Sequence, residues 1–564
     1  MMGIIMGLAN NKMTWTRALF ISLAINAIIF GMFFLFFTPC FDTVDDAIML
    51  LTASGVTTGT PSEYVIYSNV IVGLALKFLY LHASNIRWYP IYLYLAHFIA
   101  MTVILCSIIR RKPDWPAVFH YLGLFIIFEM PLLMRLQFTS AASALALGGF
   151  CLFITTLDSR GGKAAAYLVI ASALVAGGGL IRIDSVYLLA FLAAPVLLTL
   201  MIGKSRRQAV VFVLLSAVLL TALACFDDAY YMKDPQWAKY HQYQIIRDKL
   251  HGYPKLDYNE RNRPVFDHVG WSKNDERIFA HGFNFDQTVY SIEKITYVEK
   301  NAHNWRNLSD TIKTLKEPLK ANLPPIIATL VYLIFLAMGI GKERRGLICA
   351  QALTAVLICI WLSHTARLPD RVFLPVLLFL SLTSLVESVS ATAEKPSPQN
   401  KYLVVIVVAL LTCLLGAQVF SAASQSRTNR TDQIYYYKIL AGLPRGADDL
   451  ILMRGSVLPI GRTPPFSDLN EYRGLHLLFI DHLINSPLNA ETLSRFHQTS
   501  LLSAINSDKH LFMLSRDQFI PIFYRYFAEH HLPKPRFKVI ASYDKGKYLL
   551  SVNRPAVRRA GPGR

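Results

Sequence analysis

Two adjacent carboxylates, Asp45 and Asp46, follow the first long apolar run of the chain in the segment TPCFDTVDDAIML. A position only a few residues beyond a membrane span places both at the membrane surface. Neighbouring acids repel each other, so one can hold its proton near neutral pH in a partly dry site. A bound divalent ion would cancel the same repulsion, and the cofactor is left open. A carboxylate within about 3 Å of a reacting hydroxyl can act as its general base.

The same segment also fits the start of a helix. Thr43 followed three residues later by Asp46 matches a capping box, and acids in a first turn interact favourably with the helix dipole. Both interpretations stay open, because one aspartate can cap the helix while the other reacts.

Basic residues at the same predicted membrane edge could hold an anion such as a departing phosphate. A guanidinium grips two oxygens in one plane and stays charged in a low dielectric. An arginine within a span costs about 2.5 to 3.5 kcal/mol on insertion scales, so Arg182 in GGGLIRIDS and Arg371 in LPDRVFLP should have partners. Ion pairs with Asp184 and Asp370 are the structural alternative. The other candidates at this edge are Arg87, Arg135, Arg367 and His364.

The composition of the chain excludes an ordinary soluble enzyme. Of the 564 residues, 54% are hydrophobic and 16% are charged, with a mean hydropathy of +0.38. Runs of roughly 20 apolar residues predict an α-helical polytopic membrane protein of about 11 transmembrane helices. The runs cover residues 15–37, 88–109, 115–134, 138–157, 164–181, 185–203, 208–225, 324–341, 346–363, 370–388 and 402–420.

The basic connectors between these runs orient the chain. If each run crosses the membrane once, all of the basic connectors lie on the same side, and the positive-inside rule predicts that this side is cytoplasmic. We therefore expect an integral protein of the bacterial inner membrane, with loops 39–87 and 226–323 and the C-terminal domain in the periplasm. These connectors account for much of the net charge of +19, so no nucleic-acid partner is implied. They contain Lys12 and Arg17, 110–112, Arg160 and Lys163, 204–207, 342–345, and Lys395 with Lys401.

Residues 64–82 could be read as a further span, but a crossing there would place 110–112 outside. The segment is therefore predicted to be an amphipathic helix on the outer surface, with Asn69, Lys77 and His82 toward water or a polar cleft.

Two regions outside the membrane are expected to fold. The loop 226–323 carries enough aromatic residues for a packed layer. Its acids at 227–228 and the cluster of Asp275, Glu276, His281 and Asp286 are candidate acceptor or metal contacts, although scattered solvated charge is the favoured interpretation. Residues 421–555 are predicted to form a small α/β domain, and 556–564 a disordered tail. Its predicted strands are DDLILMRG, KHLFMLSR, FKVIASYD and KYLLSVNR, and its predicted helices are NAETLSRFHQTSLLSAI and RDQFIPIFYRYFAEHH.

The order of these features resembles the GT-C superfamily of membrane glycosyltransferases, such as protein O-mannosyltransferases and aminoarabinose transferases of lipid A. An acidic pair follows the first span, and TPSEYVIYSNVIVGLALKFLY matches a Pro-containing outer loop with a surface helix. NIRWYPIYLYLAHF and RLPDRVFLPVLLFL match spans that open with an arginine. The resemblance covers roughly residues 10–390 and involves no long shared motif.

The resemblance implies transfer of a sugar from a polyprenyl-phosphate donor to a glycan, lipid or protein acceptor at the bilayer surface. Asp45, or else Asp46, stands at the position of the general base. One carboxylate base implies a single displacement with inversion, and no metal-ligand set is assigned. The residues expected to bind donor phosphate are Arg371, Arg182, Arg367, Arg87 and His364, and those expected to bind substrate are Glu63, Lys77 and Tyr89.

Two other functions remain open. An O-antigen polymerase or ligase would rely on outer arginine and histidine residues and should survive alanine at Asp45 and Asp46. A lipid or polysaccharide transporter would place charges at mid-membrane and often shows repeated halves. Here the polar residues crowd one edge.

Overall fold

The computed structural model describes residues 13–56, 58–252, 256–303, 306–339, 342–390, 400–454, 463–480, 483–507, 510–543 and 546–553. The predicted tail 556–564 lies outside the described residues. Every predicted apolar run coincides with a helix. The helices up to the outer loop are α1 (Trp15–Phe36), α2 (Val44–Ser54), α3 (Val70–His82), α4 (Trp88–Arg111), α5 (Trp115–Met134), α6 (Phe138–Thr155), α7 (Gly161–Ile202) and α8 (Arg206–Tyr231).

The outer loop and the second membrane segment are also helical. The outer loop contains α9 (Pro235–Gly252), α10 (Arg263–Val269), α11 (Lys273–Ala280), α12 (Ile292–Asn301) and α13 (Leu308–Ala321). The chain then continues through α14 (Leu323–Gly339), α15 (Lys342–Thr365), α16 (Asp370–Ser390) and α17 (Asn400–Ala441).

Within the described ranges, eight helices are long and apolar enough to cross a membrane. One of them, α7, has an extended backbone at Arg182 (φ −158, ψ 105) and therefore comprises two helices. These are the predicted spans 164–181 and 185–203. The remaining predicted spans, 324–341 and 370–388, correspond to α14 and α16. The predicted polytopic helical class is therefore confirmed.

Small residues let α6 and α7 pack closely. A Cβ added to Gly178 would lie 2.7 Å from the backbone oxygen of Ala142, and one added to Gly149 would lie 2.6 Å from that of Ala171. Any larger residue at either glycine would push the helices apart. The glycine run before Arg182 therefore serves helix packing.

The basic residues Arg110 and Arg111 lie at the end of the bundle where α1 begins and α6 ends. The guanidinium of Arg110, at the end of α4, lies 4.5 Å from the ring centroid of Trp15, at the start of α1. Arg111 donates from Nε to the backbone oxygen of Thr155, at the end of α6. The opposite end of α4 carries Tyr89, which bonds Asp46. This basic pair and Asp46 thus lie at opposite ends of α4.

The segment after α2 forms the short helix α3. Its 13 residues span only about 20 Å, less than the hydrocarbon core. Asn69 caps it by accepting from the backbone N–H of Ile71. The backbone N–H of Val70 donates to Asp227 at 2.6 Å, so the interpretation of Asp227 as solvated charge is wrong.

The outer helices pack around buried aromatic side chains, as predicted for this loop. Trp271 is 2% exposed and donates to the backbone oxygen of Val289. Acids that were interpreted as solvated are instead buried here. Asp275 bonds His530 at 2.8 Å and Asp286 accepts from Tyr526 at 2.9 Å, so both join the loop to the C-terminal domain.

The C-terminal domain is a mixed five-stranded sheet with three α-helices among the described residues. Its elements are β3 (Leu450–Met453), β4 (Leu477–Phe479), α18 (Pro487–Arg495), α19 (Leu501–Ile505), β5 (Leu511–Arg516), α20 (Ile520–Glu529), β6 (Arg536–Tyr543) and β7 (Lys547–Asn553). The strand order is β4-β3-β5-β7-β6. The four predicted strands are present, while β4 was not predicted, and α17 continues to Ala441, well past the predicted boundary at 421. The single helix predicted over 489–505 is two helices, separated by His497 with a positive φ of 55.

Candidate active site

Two short parallel strands bring distant parts of the chain together at the end of the bundle opposite Arg110 and Arg111. β1 (Cys40–Phe41) pairs with β2 (Arg135–Leu136), and the backbone N–H of Asp42 donates to the oxygen of Leu136. Helices α2 and α6 begin immediately after these strands, so their N-termini lie side by side. Helix N-termini carry partial positive charge and favour anions.

Asp46 lies inside this junction and is fully buried. One carboxylate oxygen accepts from the backbone N–H of Phe138 and from the hydroxyl of Tyr89, both at 3.0 Å. The other oxygen accepts from Thr43 at 2.9 Å, and the predicted capping box is not formed because the Thr43 side chain bonds no backbone group. Burial, followed by the charge of Asp45, raises the pKa of Asp46. We infer that Asp46 and Tyr89 hold the site together without touching substrate.

Replacing Asp46 with alanine should destabilise the protein. The change strands the backbone N–H of Phe138 and the hydroxyl of Tyr89 in a buried position, and each unsatisfied group costs about 1 to 3 kcal/mol. We expect a lower midpoint of thermal unfolding in detergent. The double variant with Tyr89→Phe should lose less than the sum of the two single changes. An unchanged midpoint would contradict the structural role.

Asp45 is half-buried in the first turn of α2, beside Tyr67. Burial raises the pKa of Tyr67, and the nearby charges of Asp248 and Asp45 raise it further, while Arg247 acts in the opposite direction. The ring of Tyr67 stacks on Phe138 with an interplanar angle of 1°. Of the two predicted catalytic aspartates, Asp45 is therefore the one placed at the partly open side of the junction.

Arg182 lies on the same aromatic pair. Its guanidinium is 5.2 Å from the ring centroid of Tyr67 and 5.6 Å from that of Phe138. It also forms an ion pair with Asp184 at 2.8 Å, and its side chain is 28% exposed. The expectation that this arginine has partners is confirmed. The extended backbone at Arg182 interrupts α7, and the side chain at this break lies against Tyr67 and Phe138.

Arg371 approaches the site from α16. Its Nη1 atom lies 3.3 Å from a carboxylate oxygen of Asp42, and both side chains are mostly buried. The anticipated ion pair between Arg371 and Asp370 is replaced by this contact. Asp370 instead pairs with Arg135 at 3.4 Å and accepts from Asn322 at 2.7 Å. The N-terminus of α16 thereby joins those of α2 and α6.

The sequence analysis missed one acidic and one basic residue near the site, Asp42 and Arg247. Asp42 stands three residues before Asp45, and a third acid in the same segment could have drawn attention to it. Arg247, on α9, is 3% exposed and bonds Asp248 at 2.8 Å. Burial alone would lower the pKa of Arg247, but the charge of Asp248 and the neighbouring Tyr67, Tyr240 and Tyr243 together raise it above its usual value, so the guanidinium stays charged. The outer loop thus contributes a cation near Tyr67.

Other residues predicted to bind donor phosphate lie in structural contacts. Arg87 donates to the backbone oxygen of Ser467 and to Asp468 at 2.7 Å, and so attaches the C-terminal domain to the bundle. His364 contacts the hydroxyl of Thr311 on α13 at 3.0 Å. Arg367 is exposed between α15 and α16. We propose no donor contact for these three residues.

The predicted substrate residues Glu63 and Lys77 bond each other at 2.7 Å, and Glu63 also accepts from Tyr230 at 3.1 Å. Burial acts to raise the pKa of Glu63, but the hydrogen bond and charge of Lys77, a backbone hydrogen bond and the bond from Tyr230 together outweigh it, and the net pKa lies below the usual value. The group fastens the loop after α2 to α3 and α8.

The Glu63 contacts predict a pH-dependent contribution to stability. A carboxyl with a lowered folded pKa stabilises the protein above its unfolded pKa of about 4.3, and the contribution disappears as the pH falls through the folded pKa. The unfolding midpoint of a Glu63→Gln variant should therefore lie below that of the parent at neutral pH and approach it in acid. A constant difference across this range would argue against the ion pair, and Lys77→Met serves as the matched variant.

No group of three or more histidine, cysteine, aspartate or glutamate side chains lies in position to hold a metal ion in the described part of the chain.

Comparison with solved structures finds two crystal structures of ArnT from Cupriavidus metallidurans. The structure bound to undecaprenyl phosphate has a TM-score of 0.42 and 10% sequence identity, over 96% of this chain and 99% of that chain. The apo structure has the same score and identity, over 93% and 96% of the two chains. No protein-family model and no curated protein matches the sequence.

Proposed function

We propose that the protein is a membrane glycosyltransferase that transfers a sugar from a polyprenyl-phosphate donor to an acceptor on the extracytoplasmic side of its membrane. One observation carries the proposal. The half-buried carboxylate of Asp45 stands where the N-termini of α2 and α6 meet, next to Tyr67, whose ring also carries the guanidinium of Arg182, and Arg371 bonds Asp42 three residues before it. The arrangement combines a proton acceptor with two cations that can hold a dianionic leaving group.

Asp45 is the proposed general base. Its carboxylate takes the proton of an acceptor hydroxyl as that oxygen forms a bond to the anomeric carbon of the donor sugar. The bond between that carbon and the phosphate oxygen breaks, and the phosphate leaves with the electron pair. Since attack and departure occur on opposite faces in one displacement, the configuration inverts. Asp46 is unsuited to this role because internal donors occupy both of its oxygens.

Arg371 and Arg182 are the proposed contacts of the donor phosphate. The bond to Asp42 involves Nη1 of Arg371, and a guanidinium has five N–H donors, so Arg371 can bind phosphate and keep its ion pair. Fixed cations and helix N-termini stabilise the charge that develops on the departing oxygen. The polyprenyl tail of the donor would lie in the bilayer.

The test is an incubation of the purified protein with a panel of polyprenyl-phosphate sugars and crude envelope glycans and lipids. We expect release of polyprenyl phosphate from at least one donor, with label appearing in the acceptor fraction. If vesicles move a donor or a glycan across the membrane without any transfer product, the transporter is the better description. If a product forms equally well with both Asp45 and Asp46 changed to alanine, the polymerase or ligase class is favoured.

A further inference from the structure

A cleft opens between the outer helical layer and the C-terminal domain. It encloses about 340 Å³ and runs between α9, the turn that leads into α12, and the start of α18. We call it the outer cleft. Its floor is formed by Tyr240, Tyr243 and Tyr290, which are all nearly fully buried. The domain side is formed by Asn485 and the first turn of α18.

The rim of the outer cleft is polar and almost neutral. Gln236 and Gln287 place exposed amides at its edges, and one cation, Lys239, is balanced by one anion, Glu293. Phosphate or nucleotide ligands require clustered cations, and lipid chains require an apolar rim. Aromatic floors with a few amide and charged groups suit ring-shaped ligands that carry many hydroxyls.

The floor also contains a buried polar atom. The hydroxyl of Tyr243 lies beside the side-chain amides of Asn284 and Asn485, which lower its pKa against the larger effect of burial, and the side chain is 6% exposed. A phenol hydroxyl can both donate and accept, so it can also bond a ligand hydroxyl within the cleft. Asn485 is held in place by its own bond to the backbone oxygen of Asn284 and by its left-handed backbone, φ 62.

The outer cleft continues toward the proposed base. Tyr240, Tyr243 and Arg247 occupy positions i, i+3 and i+7 of α9 and therefore lie on one helix face. The charge of Arg247 lowers the pKa of Tyr243 against the stronger effect of burial, and the same guanidinium acts on Tyr67 beside Asp45. One face of α9 thus connects the cleft with the site of chemistry.

From these features we infer that the outer cleft binds the saccharide chain of the acceptor and leads one of its hydroxyls to Asp45. The inference rests on the proposed function and specifies its acceptor as a glycan. A lipid or protein acceptor would not require a cleft with this rim.

Ala490→Trp provides a direct test, because Ala490 is exposed in the first half of α18 and lines the cleft. An indole there fills the space without removing a buried contact. Ser494→Trp on the same helix is the matched control, since it is exposed but does not line the cleft. Gln236→Ala removes one amide from the α9 side of the cleft and so tests the wall opposite α18.

We expect Ala490→Trp to raise the KM for a glycan acceptor about tenfold or more with the KM for the donor unchanged, because only ground-state acceptor binding is removed. Ser494→Trp should behave as the parent. Saturation-transfer NMR with short hexose and N-acetylhexosamine oligosaccharides should detect binding of at least one to the parent and its loss in Ala490→Trp.

Two results would overturn the inference. One is an acceptor KM that is the same in Ala490→Trp and the parent, and the other is transfer to a sugar-free polyprenol or peptide that is as efficient as transfer to glycans. Failure of the proposed function is distinguishable, because then no donor is consumed by the parent protein. In that case, oligosaccharide binding still decides whether the cleft recognises glycans.

Discussion

An Asp45→Asn variant should lose sugar transfer by about 10² to 10⁴-fold, the usual contribution of a general base. The amide has the same shape as the carboxylate but cannot take the acceptor proton. Because Asp45 is half-buried and not part of the buried junction, the fold should survive. The loss should therefore appear in kcat, with the KM values of donor and acceptor little changed. The rate at which labelled polyprenyl phosphate is released at saturating donor and acceptor concentrations measures this loss in kcat.

Asp46→Asn is the matched comparison for this prediction. It keeps the shape of a side chain whose oxygens accept from Thr43, Tyr89 and Phe138. Its main effect should fall on the unfolding midpoint rather than on the rate per folded molecule. If Asp46→Asn abolishes turnover in a stable protein while Asp45→Asn leaves it intact, the assignment of the base is reversed. If both variants remain fully active, the site itself is misplaced.

Arg371→Ala should lower kcat/KM for the donor by about 10² to 10³-fold, the range found when one donor to a developing charge is removed. The change withdraws a cation from the departing phosphate and also leaves Asp42 without its ion-pair partner. Arg371→Lys should recover part of the loss, because it restores the charge without the planar pair of N–H groups. Binding of a polyprenyl phosphate to the purified variant should weaken in parallel.

Arg87→Ala is the control for this second prediction. It removes another arginine of the same membrane edge, yet one whose contacts are with Ser467 and Asp468 of the C-terminal domain. We expect lower stability and a small effect on donor binding. Equal losses of donor binding in the two variants would indicate a general electrostatic effect. An Arg371→Ala protein with unchanged donor affinity would exclude the phosphate contact.

The sequence determined the membrane architecture. Runs of roughly 20 apolar residues can satisfy their backbone groups in the bilayer only as helices, so every predicted run corresponds to a helix. Short β-like runs predicted four strands of the C-terminal sheet. β4 was missed because Leu477–Phe479 has only three residues, too few for a periodic pattern. The end of α17 was missed because residues 424–433 are polar where the helix leaves the apolar region.

The sequence also pointed to the segment around Asp45, yet it could not divide the roles of neighbouring acids. Asp46 becomes structural because the parallel pair β1-β2 places Phe138 and its free first-turn N–H beside it. The two partners are 92 positions apart, and no local pattern encodes that contact.

Only the tertiary structure decided which charges meet. Arg371 pairs with Asp42, 329 positions away, rather than with its neighbour Asp370. Inside the bundle, His97 and Glu129 bond at 2.6 Å with both side chains fully buried, although neither attracts attention in its own apolar run. Hydrophobicity is a property of a segment and can be read locally. An ion pair depends on distance and on the loss of water around both partners, and these are set by the packing of helices that are remote in sequence.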